Sequence, residues 1–290
     1  MDAVKIKNMT KDFGTFSIRN LNLSIPQGYI TGIVGKNGAG KTTIIKSVLG
    51  MMPLEEGEIS VLGMPLEKNE ITIKDKIGIV MNDGCFYEAL SLIKMKNIIS
   101  KFYTQWDEKA FQHYMDYFHL PPQKKVKELS TGMRAKYNIA LALSHHADLI
   151  IMDEPSSGLD PVAREELMDI LSDLMQNEEK TVILSTHITS DLDRTADYIV
   201  LVDNGQVLLQ LPKDELLDTH RLLKGTTDQL SDNVKKHLIS YKTNSYGFEA
   251  LTNNAPLLRS LSSKFVFEKP TVEDILRFYA RKDDNHVSAH

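Results

Sequence analysis

The stretch that most constrains this chain is Gly35-Lys36-Asn37-Gly38-Ala39-Gly40-Lys41-Thr42-Thr43. It follows Tyr29 to Val34, a short apolar run bounded by glycine that reads as a buried parallel strand. Ile44 to Leu49 then reads as the first turns of a helix. Strand, glycine-rich loop, Lys-Thr and helix is the context that the pattern G-x-x-x-x-G-K-[ST] requires. A chance glycine-rich turn before Lys-Thr would not need the strand. Gly35, Gly38 and Gly40 let the backbone fold round a polyphosphate without Cβ clashes, so successive N–H groups point inward. The helix adds its positive dipole end. Lys41 supplies a mobile cation for the β- and γ-phosphates. The Thr42 hydroxyl is suited to Mg²⁺, and Thr43 to the α-phosphate.

At 290 residues, 42% apolar and 25% charged, the chain is globular, of one large domain or one and a half. A formal net charge of −5 gives no support for a nucleic-acid surface. Cys85 is the only cysteine, so no internal disulfide forms and a reducing compartment is the natural reading. No apolar run approaches 18 residues and no signal pattern opens the chain, so any membrane role needs a separate spanning partner.

Val4 to Lys7 and Leu21 to Ile25 alternate apolar and polar residues, as half-exposed antiparallel strands do. Glu58 to Gly63 and Ile77 to Met81 are further strand candidates. From Leu90 to Leu120 aromatic residues crowd a helical stretch. Their spacing favours the core of a helical lobe, spanning about residues 83–147, over a ligand box. Ser130 to Leu143 reads as a helix with Ser130 as N-cap. Val162 to Gln176 reads as another helix. Tyr198 to Leu209 reads as a hairpin turning at Asp203-Asn204-Gly205. Beyond Thr219 the pattern weakens. Leu238 to Lys242 and Phe265 to Glu268 read as short strands, Thr271 to Tyr279 as a capped helix with Asp274 at its third position, and Asp283 to His290 as a frayed tail. The expected division is a domain over residues 1–218 and an extension over 219–290, for dimerisation or docking.

Four later stretches say what is done with the nucleotide. Asp153 and Glu154 end the apolar strand Leu149 to Glu154, where open α/β sheets carry their functional groups. The first carboxylate is suited to Mg²⁺ and the second to polarising an attacking water. Leu129-Ser130-Thr131-Gly132-Met133 opens a helix and offers a second anion site beside the one at Lys41. Alone it would be a plain N-cap. Asp160, closing Ser157-Gly158-Leu159-Asp160, either caps the next helix or reaches across an interface. His187 ends the strand Thr181 to His187. A lone histidine is usually structural, but this position at the carboxyl end of the sheet suits contact with a γ-phosphate.

These stretches, in this order and spacing, resemble the nucleotide-binding subunit of ABC transporters over about Val4 to Leu209. The resemblance implies an α/β fold: a P-loop ATPase core with a mixed sheet, an antiparallel β subdomain, a helical subdomain and a small C-terminal extension. It implies two copies packed head to tail, as homodimer or heterodimer, with ATP held by Gly35, Lys36, Asn37, Gly38, Ala39, Gly40, Lys41, Thr42 and Thr43 of one chain and Ser130 and Gly132 of the other. Glu154 is then the general base, His187 the γ-phosphate switch, and Asp153, with Thr42, a magnesium ligand. Phe13 stands where the family stacks an aromatic on adenine, with core packing as the plain alternative and Phe16 as a competitor.

Two departures matter. Asn82, followed by Asp83, stands where the family has glutamine, so a magnesium or water contact there would come from a shorter side chain. Thr131 and Met133 replace a glycine and a glutamine of the signature. With the Thr271 to Asp274 helix start, these features resemble the exporter branch related to bacitracin-resistance, antimicrobial-peptide and phenol-soluble modulin exporters. The implied partners are integral membrane permease subunits at the cytoplasmic face of the membrane. A soluble ABC ATPase acting on ribosomes or DNA is the alternative. Its members carry paired cassettes or long coiled coils, and neither appears here. An ATP-binding protein without turnover is disfavoured by Glu154.

Overall fold

The computed structural model describes residues 1–81, 86–176 and 180–281. Asn82 and the tail from Asp283 lie outside the described residues. The chain opens with β1 (Asp2–Asp12) and β2 (Ser17–Pro26), paired antiparallel, and continues through β3 (Ile30–Val34) into α1 (Lys41–Val48). Next come β4 (Glu56–Val61), β5 (Met64–Pro65), α2 (Leu66–Asp75) and β6 (Ile77–Met81). The helical lobe holds α3 (Leu92–Ile99), α4 (Glu108–Tyr117) and α5 (Thr131–Ala142). Then β7 (Leu149–Asp153), α6 (Pro161–Leu174), β8 (Thr181–Thr186), α7 (Thr189–Thr195), β9 (Tyr198–Asp203) and β10 (Gln206–Pro212) complete the central layer.

The central sheet runs β10-β9-β3-β8-β7-β6, parallel except for the β9–β10 hairpin, and an antiparallel sheet β2-β1-β4-β5 packs beside it. β3, β7 and β8 are buried along their whole length, as strands covered on both faces must be. One core joins β1, β2 and α1 to one face of the central sheet through Val4, Ile6, Ile44, Ile45, Ile151 and Ile183. The other face carries the helical lobe through Phe111, Met115, Tyr137 and Leu141. The aromatic stretch is therefore split. Phe111 and Phe118 are core, whereas Phe102 is 76% exposed. Ser130 caps α5, its Oγ accepting from Met133 N at 3.2 Å. The extended strands and loops at the carboxyl ends of β3, β7 and β8 all reach one edge, which is where the site forms.

Beyond α8 (Lys213–Thr219) lie β11 (Arg221–Gly225), α9 (Asp232–Lys235), β12 (Ser240–Asn244), β13 (Gly247–Thr252), α10 (Ala255–Leu261), β14 (Val266–Glu268) and α11 (Val272–Tyr279). They form an antiparallel sheet ordered β12-β13-β11-β14. The sequence pattern shows β12 and β14, at its edges, but not β11 and β13, at its centre. The reason is two-sided burial. Leu223, Phe248 and Ala250 face the extension's own core, while Leu222 and Leu251 face the large core with Val272, Ile275 and Phe278 of α11. Strands buried on both faces lose the alternation that marks a half-exposed strand. The Thr271 cap is as the sequence predicts. Its Oγ1 accepts from Asp274 N, and Asp274 bonds back to Thr271 N. No helix among the described residues is long and apolar enough to cross a membrane.

Candidate functional site

The loop after β3 closes by placing Gly38 and Gly40 at φ of +81° and +110°, where side chains other than hydrogen are strained. Gly35 is required for a different reason: a Cβ there would lie 2.1 Å from Val202 O of β9. The loop therefore sits directly on the sheet and borders a cavity of about 550 Å³. Phe16, Asn37, Gly38, Ala39, Gly40, Lys41, Thr42 and Thr43 line this cavity on one side, and Glu154, Ser157 and His187 on the other.

Lys41 is 5% exposed. Its Nζ donates to Gly35 O at 2.9 Å and to Lys36 O at 3.3 Å, and lies 3.4 Å from Glu154 Oε1. The ammonium's three donors are thus all aimed at oxygens, which preorganises the cation at the phosphate end of the loop. Glu154 sits just past β7 at φ +53°, an uncommon conformation for a residue with a Cβ. Ser185 of β8 holds it there. The Glu154 N–H donates to Ser185 O at 3.0 Å and to Ser185 Oγ at 3.2 Å. Glu154 Oε2 lies 2.6 Å from His187 Nδ1 and accepts from the His187 N–H at 3.3 Å. An ionised carboxylate offers only acceptors, so Nδ1 carries the hydrogen in this pair and Nε2 is left to face other groups. Asp153 is 7% exposed, and its Oδ1 accepts from Ser185 Oγ at 2.5 Å. Ser185 thus orders both acids, because the β7–β8 register sets Asp153 opposite it. The sequence offers one signal for Ser185: it stands two residues before His187, on the same face of the strand.

The structure brings together Asn37, Gly38, Ala39, Gly40, Lys41, Thr42, Thr43, Glu154 and His187 around one cavity. Gly35, Lys36 and His187 line an adjoining cavity of about 250 Å³ whose far wall is Glu273, Leu276, Arg277 and Ala280 of the C-terminal helix and its cap. Two alternatives left open by the sequence can be compared with the geometry. Phe13 is 42% exposed and does not line the nucleotide-sized cavity; Phe16, stacked on it with ring centroids 6.1 Å apart, does. The turn that bonds Phe13 N to Phe16 O points the second ring, not the first, over the loop. Asp160 caps α6, its Oδ1 accepting from Ala163 N at 2.9 Å.

Ser130 and Gly132 do not line this cavity. The start of α5 lies against the loop between Glu154 and α6: a Cβ on Gly158 would meet Thr131 Cγ2 at 2.6 Å. Asn82 lies outside the described residues.

The cavity's chemistry fits a magnesium nucleotide. A glycine-rich loop, a buried ammonium and a helix N-terminus suit a polyphosphate. No group of three or more His, Cys, Asp or Glu side chains able to hold a metal occurs among the described residues. Thr42 lines the cavity and Asp153, at the end of β7, does not; one hydroxyl and one nearby carboxylate are the sparse protein ligation that suits a magnesium ion otherwise bound by phosphate oxygens and water.

Comparison with known proteins agrees with this geometry. The family model for the ABC transporter matches residues 18–157. A bacitracin transport ATP-binding protein of Bacillus licheniformis is 32% identical over 235 residues, covering 80% of this chain and 76% of that protein. A lantibiotic transport ATP-binding protein of Streptococcus pyogenes is 30% identical, covering 73% of this chain and 91% of that one. The solved dimeric structure of a bacterial ABC transporter cassette superposes with a TM-score of 0.64 at 25% identity, covering 72% of this chain and 98% of that chain. The chain belongs to the ABC transporter ATP-binding family, and it is an ATPase.

Proposed function

We propose that this chain is the ATP-hydrolysing subunit of an exporter, powering passage of a peptide or amphipathic compound through separate membrane-spanning subunits. Bacitracin and lantibiotic transport are what two of its relatives are named for. The observation that carries the catalytic part is the convergence of Glu154 on Lys41 and His187 at the phosphate loop.

The loop amides and Lys41 bind the phosphates of ATP, and Phe16 offers the adenine a ring to stack on. Thr42 and Asp153 would hold Mg²⁺. When bound, that ion neutralises the charge that builds on the phosphate oxygens. Glu154 takes a proton from the attacking water, and His187 orients the Glu154 carboxylate while presenting Nε2 toward the γ-phosphate. Lys41 releases its backbone carbonyls for phosphate oxygens, to which its attraction is stronger.

Ser130 and Gly132 do not line the chain's own cavity, so we assign them to the nucleotide of a second copy or a related subunit, with Asp160 and its loop at the same interface. The extension over residues 219–290 is a docking unit, and its α11 lies beside Gly35 and Lys36 of the phosphate loop. The working location is the cytoplasmic face of the membrane, reached through the permease.

Co-purification tests this reading. Tagged Glu154→Gln protein, solubilised from its native cells in mild detergent with ATP, should bring down a multi-spanning membrane protein identified by mass spectrometry. Recovery of ribosomes or DNA-bound proteins instead would overturn it.

A further inference from the structure

Below the Glu154–His187 pair lies a second, fully buried link between the same two loops. Asp191, in the first turn of α7, is 3% exposed. Its Oδ2 accepts from Ser156 Oγ at 2.8 Å, and its Oδ1 accepts from Arg164 Nε at 2.5 Å. Arg164 Nη2 also donates to Ser190 Oγ at 2.8 Å. Ser156 is 2% exposed and stands two residues after Glu154; Asp191 stands four after His187. The chain from Glu154 to Ser156 and the chain from His187 to Asp191 are therefore closed into a ring, pinned at one end by the 2.6 Å Glu154–His187 contact and at the other by Ser156 and Asp191.

A buried carboxylate needs such partners. Unpaired, it would carry a desolvation cost that its neighbours would have to relieve by moving. Here each oxygen has one donor, so the two loops are held at one spacing. That spacing matters because a base displaced by about 1 Å from its water can lose roughly a hundredfold in rate. Arg164 adds a third element. It lies in the first turn of α6, the helix that Asp160 caps, so the position of the 157–160 loop is tied to Asp191 through one guanidinium.

We propose that Asp191 is a positioning residue for hydrolysis. With Ser156 and Arg164 it sets where the Glu154–His187 pair stands relative to the phosphate loop, and it makes that placement depend on the 157–160 loop. The inference rests on the reading of Glu154 as the base. None of the three side chains lines the nucleotide-sized cavity, so their loss acts on the chemical step and not on ATP contact.

The test is steady-state ATP hydrolysis by the full chain carrying Ser156→Ala, Asp191→Asn or Arg164→Lys, each alone and combined with His187→Ala. Ser156→Ala removes one hydroxyl and leaves the Asp191–Arg164 pair, so it keeps the experiment readable if Asp191→Asn folds poorly. The expectation is a kcat at least about tenfold lower with a KM for ATP within about twofold of the parent, and an effect that largely disappears in the His187→Ala background, because both changes release the same carboxylate. Unchanged kcat in Ser156→Ala and Asp191→Asn would overturn the proposal. So would a loss of kcat that is fully additive with His187→Ala, which marks a structural role alone. Glu154→Gln is measured alongside. If it hydrolyses ATP normally, the assignment of the base fails first; if it is inactive while the ring variants are normal, only the ring's role fails.

Discussion

Glu154 and His187 meet at 2.6 Å, yet they arrive from different strands, one just past the end of β7 and the other just past the end of β8. Lys41 approaches the same carboxylate from the phosphate loop at 3.4 Å. A cation and an imidazole thus share one carboxyl group, Lys41 at Oε1 and His187 at Oε2. The positive φ at Glu154 is the strain that allows it: in an extended conformation the side chain would follow the strand instead of turning toward Lys41.

The Lys41→Ala variant should bind ATP at least about tenfold more weakly, since a charge-assisted contact of roughly 1.5–3 kcal/mol is lost. Fluorescent nucleotide titration reads this directly. An unchanged affinity would remove Lys41 from the phosphate site.

Gly35 tests whether the loop's closeness to the sheet matters. In Gly35→Ala the new Cβ meets Val202 O at 2.1 Å and Ala39 Cβ at 3.0 Å, and a backbone carbonyl cannot step aside cheaply. The loop must lift, at a cost of about 1–3 kcal/mol or more. The expected outcome is a lower melting temperature together with weaker ATP binding. A variant that melts and binds as the parent does would contradict the packing described here.

Acid should loosen the junction between the extension and the rest of the chain through His220. Burial holds this imidazole below its ordinary value of about 6.5, against the opposing hydrogen bond to Leu216 O. Its Nδ1 lies 2.9 Å from Leu216 O and its Nε2 lies 3.1 Å from the Tyr279 hydroxyl. The native state therefore keeps it neutral. Above pH 6.5 both states are neutral and its contribution is complete; as pH falls below that, the unfolded chain takes up a proton that the native chain refuses, and stability is lost. The slope is at most about 1.4 kcal/mol per pH unit for this group. His220→Gln should flatten the fall in denaturant midpoint between pH 7.5 and 5.5 by part, with His145, also held neutral by burial, supplying more of the same trend.

The phosphate loop was legible because its chemistry is contiguous: nine residues carry the glycines, the lysine and the hydroxyls in order. The caps at Ser130, Asp160 and Thr271 were legible for the same reason, since a cap acts within three residues of itself. What stayed hidden depends on register between distant segments. Ser185 matters because β7 and β8 align it with Asp153, and Asp191 because α7 turns it toward Ser156. Phe13 and Phe16 share one short turn, and only the pairing of Asp12 with Ser17 decides which ring covers the loop. In the extension, β11 and β13 escaped notice because burying both faces erases the period of two that reveals a strand.

The measurement that bears most directly on the central claim is ATP turnover by Glu154→Gln alongside its nucleotide affinity. The amide keeps the size of the side chain and cannot accept a proton, so hydrolysis should fall by about a hundredfold to ten-thousandfold while ATP still binds. Turnover near that of the parent would show that Glu154 is not the base, and the account of this site would have to be rebuilt on another residue.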